Sequence, residues 1–424
     1  METHCSYSVV NGNHIQTIFN DGTAKLLIWR NGKYTLEENY EIGRGDIRLI
    51  PINQTYLEHG NVVVPSGISS ENIEKLHLDL MQFYYRNVVI NKETNEVLAG
   101  LCMYTWLFDR TQTAPYLYIY GDFGSGKSKL KDLLKLTCFN STDLGTSVTE
   151  ANIFRMQDTV RGTLFIDEFE LYKSDQSNPM IQILNEGYKA NGVVIRNESR
   201  NGRQYVPTPF AVFGPKVIAS RSIPQDDAFM SRCFVIHTES VDRSVLEKYG
   251  IPLDITPKVA KEAEQLRNRL LAHRFSHYGK VPSINPNVRI KSQRPRDSQL
   301  IKSIISVLPY DYQPRVSKCF EASLFLKSIT PDKEDEINVI TAIDKIIKSI
   351  PQRILFKDIS HEIEEIGGNS YTSKEIGNII RRIGLDTKRL NQGTAVIINS
   401  ESNFNKLLNK YGVESVDGEL GEVK

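Results

Sequence analysis

Gly121-Asp-Phe-Gly-Ser-Gly-Lys-Ser128 decides how this chain is read. Four residues separate Gly121 from Gly126-Lys127-Ser128, the spacing of a loop that cradles nucleotide phosphates. The glycines let the loop (Gly121, Asp122, Phe123, Gly124, Ser125 and Gly126) curl until successive backbone N–H groups converge on phosphate oxygens. Lys127 offers a compact charge to the β and γ phosphates, and the Ser128 hydroxyl is a Mg2+ ligand. The flanks agree. An apolar strand, Tyr116–Tyr120, leads in, and Leu130, Leu133, Leu134 and Leu136 mark a helix leading out. The positive end of that helix faces the anion. The expected cofactors are therefore ATP and Mg2+, and the expected activity is ATP hydrolysis.

Further along, Thr163-Leu-Phe-Ile-Asp167-Glu168 is an apolar strand ending in two acids, 40 residues after Lys127. Asp167 is expected to hold Mg2+ through water, and Glu168 to polarise the attacking water. The next strand, Lys216–Ala219, ends in Ser220-Arg221. Ser220, and with it Arg221, is expected to sense the γ-phosphate. Arg232 precedes another strand, Cys233–His237, where an arginine can reach a neighbouring subunit's γ-phosphate.

The bulk properties set limits. The chain has 424 residues, which predicts two or three domains, and a net charge of +1, so any nucleic-acid binding must come from local patches. The five cysteines stand far apart without zinc or redox spacing, which predicts a reduced, cytoplasmic setting. The amino-terminal residues lack a signal-peptide pattern, and no apolar run approaches the ~18 residues of a membrane span.

The expected class is α/β, with a parallel sheet at its centre. Residues 1–68 read as a small β-rich N-terminal domain, with Asn31-Gly32 as a hairpin turn. Residues 69–115 are a helical lead-in, 116–240 the ATPase core, 241–330 a helical lid and 401–424 a C-terminal tail, polar over 413–424. Within 331–400, three helices and two strands around Asn391-Gln392-Gly393 predict a winged helix. Its first helix carries Ile337, Ile340, Ile343, Ile346 and Ile347. Thr372-Ser-Lys-Glu375 is a capping box starting its third, whose buried face is Ile376, Ile379, Ile380 and Ile383. The other face offers Lys374, Arg381 and Arg382 to DNA, and the wing offers Lys388 and Arg389.

In order, these parts resemble the AAA+ class of P-loop ATPases. The Gly121–Ser128 loop, Phe165-Ile-Asp-Glu-Phe169 and Met230-Ser-Arg-Cys-Phe234 are similar to the Walker A, Walker B and arginine-finger segments of MCM helicases. Phe213–Arg221 through Ser231–Cys233 is similar to MCM-like ATPases of phages, archaeal viruses, plasmids and staphylococcal cassette elements. The resemblance covers about residues 70–310. It implies a homo-oligomeric ring, a hexamer, translocating on or unwinding DNA during replication of a viral or mobile element. Arg296, at the start of a lid helix, is the second sensor the resemblance implies. MCM-like and superfamily-three viral helicases carry a hairpin before the sensor strand, pointing into the pore. Residues 193–213 fit it, and Arg196, Arg200 and Arg203 would track phosphates of a threaded single strand. The chain departs from true MCM proteins between Leu136 and Arg161, which is too short for their extra insertion hairpin.

Two other functions fit the same residues. One is an AAA+ switch or protein remodeller with the winged helix as a docking module. The other is non-enzymatic, with the winged helix as the working part and the ATPase serving as an assembly clamp.

Overall fold

The computed structural model describes residues 2–413, apart from 44, 147, 168–178, 201–203, 222, 223, 225, 292, 293, 328–330, 350–353, 366–369, 384, 391, 392, 399–403, 406, 409, 410 and 412. At 200, 204, 325–327, 331–334, 349, 378, 381 and 382 it describes the backbone alone. The chain is mixed α/β and divides into two compact units, residues 1–325 and 326–424.

The first unit is organised by a six-stranded sheet: β1 (Val62–Val63), β2 (Tyr116–Tyr120), β3 (Ser141–Asp143), β4 (Leu164–Ile166), β5 (Lys216–Ser220) and β6 (Cys233–His237). The spatial order is β6-β2-β5-β4-β3-β1. The five strands β6, β2, β5, β4 and β3 run parallel, and β1 closes the edge antiparallel to β3. A parallel sheet covered on both faces needs strands that are apolar throughout. Tyr116–Ile119, Leu164–Ile166 and Val217–Ala219 are buried accordingly. Between Leu136 and Arg161 lie β3, the helix Glu150–Val160 and, among the described residues, no hairpin.

The amino-terminal strands form a four-stranded antiparallel sheet and a three-stranded one. The Asn31-Gly32 turn has φ of 49° and 81° and joins Thr23–Arg30 to Lys33–Glu37, as a type I′ hairpin requires. Ile18 and Leu27 belong to the same core as the parallel sheet. The junction is anchored by Arg274, whose fully buried guanidinium donates to both oxygens of Asp109 at 2.9 and 2.7 Å and lies 3.9 Å from the Tyr7 ring centre.

His273, beside that arginine on the helix Pro257–His277, is buried and stacked on His277 at 4.2 Å. Burial, then His277 and Lys280, hold its pKa down to about 3. An unfolded histidine titrates near about 6.5, so the unfolded chain takes up this proton first as the pH falls. The stability His273 contributes is complete above about pH 6.5 and declines on acidification, at no more than about 1.4 kcal/mol per pH unit. H273Q should show a flatter fall in thermal midpoint between pH 7 and 5 than the parent. An unchanged slope contradicts the assignment.

In the second unit, the helices Pro331–Ser349, Phe356–Glu365 and Ser373–Ile383 surround an isoleucine-rich core. The strands Ile354–Leu355, Gly393–Ile397 and Asp386–Leu390 pair antiparallel in that order. The capping box forms: Thr372 N–H donates to Glu375 Oε2 at 2.8 Å, and Glu375 N–H to Thr372 Oγ1 at 3.3 Å. Ile376, Ile379, Ile380 and Ile383 are all buried, whereas Ile337 is only half-buried. Its neighbour Glu336 turns inward instead, accepting from the Tyr411 hydroxyl at 2.9 Å. Phe404 and Leu408 join this core from the segment expected to be a C-terminal tail. Residues 414–424 lie outside the described residues.

Candidate nucleotide site and basic surfaces

The Gly121–Ser128 loop connects the carboxyl end of β2 to the helix Lys127–Lys135. A Cβ at Gly121 would stand 2.2 Å from the Thr238 carbonyl oxygen, so no larger residue fits. Gly126 caps the helix at φ 82°, a left-handed conformation open to glycine at little cost. The loop is stapled to the segment after β6. The Ser125 and Thr238 hydroxyls hydrogen-bond at 2.8 Å, and Thr238 N–H donates to the Tyr120 carbonyl at 2.8 Å. Buried Leu130, Leu133 and Leu134 dock the helix, and its first turn carries no acid.

Lys127 curls back over the loop. Its Nζ donates to the carbonyls of Gly121 and Asp122, each at 2.5 Å. Partial burial, then the nearby Arg221 cation, hold its pKa below the usual lysine value. The Arg221 guanidinium lies 5.7 Å from the ring centre of Phe123, which is exposed at the loop's crown. Ser128 is exposed on the first helical turn. A turn walled by glycine, a helix amino terminus and two cations suit a polyphosphate. The Ser128 hydroxyl and the Asp167 carboxylate are hard oxygen donors of the kind Mg2+ takes beside phosphate.

Asp167 follows β4 at the carboxyl edge of the sheet. Its Oδ2 accepts from Lys131 Nζ at 2.8 Å. Glu168 lies outside the described residues. Ser220 ends β5, which runs between β2 and β4 and pairs Ser220 with Tyr120. It is buried and hydrogen-bonded with the Tyr118 hydroxyl. The strand order thus brings Lys127, Asp167, Ser220 and Arg221 to one edge of the sheet.

Arg232 is at the other edge. Its carbonyl accepts from Tyr116 N–H at 3.0 Å, at the amino end of β2. Five residues of strand at about 3.3 Å each put about 16 Å between it and its own loop. The Arg232 and Arg296 guanidiniums lie 5.6 and 5.5 Å from the ring centre of the buried Tyr188. Burial, then Arg296, hold the Arg232 pKa below the usual arginine value. Arg296 starts the helix Pro295–Ile305, as expected, but it keeps company with Arg232 rather than with Lys127.

The hairpin runs as Val193–Arg200 against Gln204–Ala211, between β4 and β5 in the chain. Arg196 faces inward, 3.6 Å from Glu150 and 5.5 Å from the Phe154 ring centre. Through these contacts Arg196 ties the ribbon to the helix Glu150–Val160. Arg203 and the Arg200 side chain lie outside the described residues. The outward face carries the exposed Val193, Ile195 and Tyr205. In the second unit Lys374, Lys388 and Arg389 are exposed, while the Arg381 and Arg382 side chains lie outside the described residues.

Three residues escaped the sequence reading. Tyr188 and Thr238 stand in connecting segments without a motif. Lys131 looks like a solvated helix lysine but is only 5% exposed. Its Nζ also lies 3.7 Å from Asp143 and 3.9 Å from Asp132. Burial alone would lower its pKa; the hydrogen bond to Asp167 and the charges of Asp143, Asp167 and Asp132 hold it above the usual value instead.

Among the described residues no helix is long and apolar enough to cross a membrane. No family model and no curated protein matches the chain. Among solved structures, the apo A form of the NrS-1 C-terminal region is 16% identical, covering 90% of this chain and 95% of that one at a TM-score of 0.34. The JCV helicase with a bound thiazolopyridine acetamide is 13% identical, covering 61% and 69% at a TM-score of 0.25. TM-scores this low carry no argument, and the functional reading stands on the residues.

Proposed function

We propose that this chain is an ATP-driven DNA translocase or helicase with an AAA+ P-loop core of MCM-like type, working as a homo-oligomeric ring, a hexamer. The observation that carries the reading is the division of the sheet: Lys127, Asp167, Ser220 and Arg221 at the carboxyl edge, Arg232 with Arg296 at the amino edge. Arg232 cannot reach its own loop, so it is useful to catalysis only across an interface between copies. Lys127 holds the β and γ phosphates, with Ser128 and Asp167 toward Mg2+. Glu168 orients the attacking water and Ser220 senses the γ-phosphate. Held by Ser128 and Asp167, a Mg2+ bound with ATP would supply charge neutralisation to the phosphoryl oxygens. Arg232 of the next subunit, with Arg296 beside it, adds positive charge from outside. The setting is the replication of a viral or mobile element in the cytoplasm of its host. The second unit is read as a winged helix that offers Lys374, Arg381, Arg382, Lys388 and Arg389 to duplex DNA.

The hairpin is the proposed contact with the threaded strand, through Arg200 and Arg203 near its tip. The R200A/R203A double variant should keep basal ATP turnover and lose most of its stimulation by single-stranded DNA. Unchanged stimulation would remove the hairpin from the mechanism. The exposed Val193, Ile195 and Tyr205 favour a second reading, a remodeller gripping protein through an apolar ribbon. That reading predicts ATP turnover stimulated by an unfolded polypeptide and indifferent to DNA.

A further inference from the structure

Lys131 lies one helical turn beyond Lys127, on the same helix. The neighbouring Leu130, Leu133 and Leu134 are fully buried leucines. An ammonium in such a place is costly unless it is paired, and an apolar residue would pack there without that cost. Asp143 has other donors, Gly145 N–H at 3.0 Å and Lys135 Nζ at 3.1 Å. Lys131 makes its shortest bond to Asp167, at 2.8 Å, across the parallel neighbours β3 and β4. The helix that begins at the Lys127–Ser128 end of the loop is thereby fixed to the carboxylate expected to face Mg2+.

We propose that Lys131 is a positioning residue that holds the Asp167 carboxylate in one orientation and balances its charge, so that Asp167 meets Mg2+ already ordered. The inference rests on the nucleotide-site reading above. It couples the two halves of that site, loop and acid strand, through a side chain that touches neither nucleotide nor metal.

The test is binding of a fluorescent ADP analogue to the full chain, in EDTA and across a Mg2+ titration. K131M should bind the analogue in EDTA within about twofold of the parent, while the Mg2+ concentration at half-effect rises about tenfold, equivalent to about 1.4 kcal/mol. K131Q, which keeps a donor without the charge, should fall between them, and it decides the matter if K131M does not fold. In a D167N background K131M should add almost nothing, because coupled residues are not additive. A Mg2+ midpoint equal to the parent's overturns the proposal. So does equal weakening with and without Mg2+, which a merely structural lysine would give. Failure of the parent itself to bind the analogue would instead strike the nucleotide-site reading.

Discussion

Replacing Lys127 with Ala should lower ATP turnover at least about a hundredfold, the usual cost of removing one preorganised charge from a reacting centre. The side chain already lies over the loop, donating to the Gly121 and Asp122 carbonyls, so its charge is held at the proposed phosphate cradle. Removing it should leave the fold intact, because Leu130, Leu133 and Leu134 dock the helix without it. Glu168→Gln should abolish turnover as well but spare nucleotide binding, since it removes the proposed base and not the cradle. The check is a steady-state phosphate-release assay beside a nucleotide-binding titration. Near-normal turnover in both variants would sink the assignment of the site.

Arg232→Ala should behave differently. It should bind nucleotide like the parent and lose turnover by about a thousandfold, the scale known for arginines supplied to a phosphoryl transition state. The decisive experiment is mixing. Lys127→Ala subunits carry an intact Arg232, and Arg232→Ala subunits an intact loop. Combined, they form some interfaces with both, so turnover should return in part although each alone is inactive. No recovery would mean that Arg232 does not act across an interface. Its contact with Tyr188, shared with Arg296, suggests why the effect is large: the two cations are held together on one buried ring.

Much of this was legible in the sequence, because the signals were local. Glycine spacing marked the loop, and continuous apolar runs marked strands buried on both faces. The capping box at Thr372–Glu375 and the Asn31-Gly32 turn are chemistry within a few residues, and both formed. The less legible parts depend on contacts distant in the chain. Lys131 occupies a helix position that reads as solvated, and only the strand order puts Asp143 and Asp167 against it. The packing of Arg196 was not legible for a related reason. Alternation along the ribbon gives Ile195 one face and Arg196 the other, and polarity alone would send the arginine outward. Glu150 and Phe154 supply a charge and an aromatic ring for it instead, and Ile195 is left exposed. Tyr188 gave no signal, since an aromatic residue between elements has no pattern to betray a role.

The central claim is that the shared ATP site drives movement on DNA. The most direct measurement is ATP turnover with no DNA and with single-stranded, duplex and forked DNA, run beside displacement of a labelled strand from the fork. The account predicts that single-stranded and forked DNA stimulate turnover, and that displacement requires ATP and disappears in Lys127→Ala. Turnover indifferent to every DNA, with no strand displaced, would contradict it.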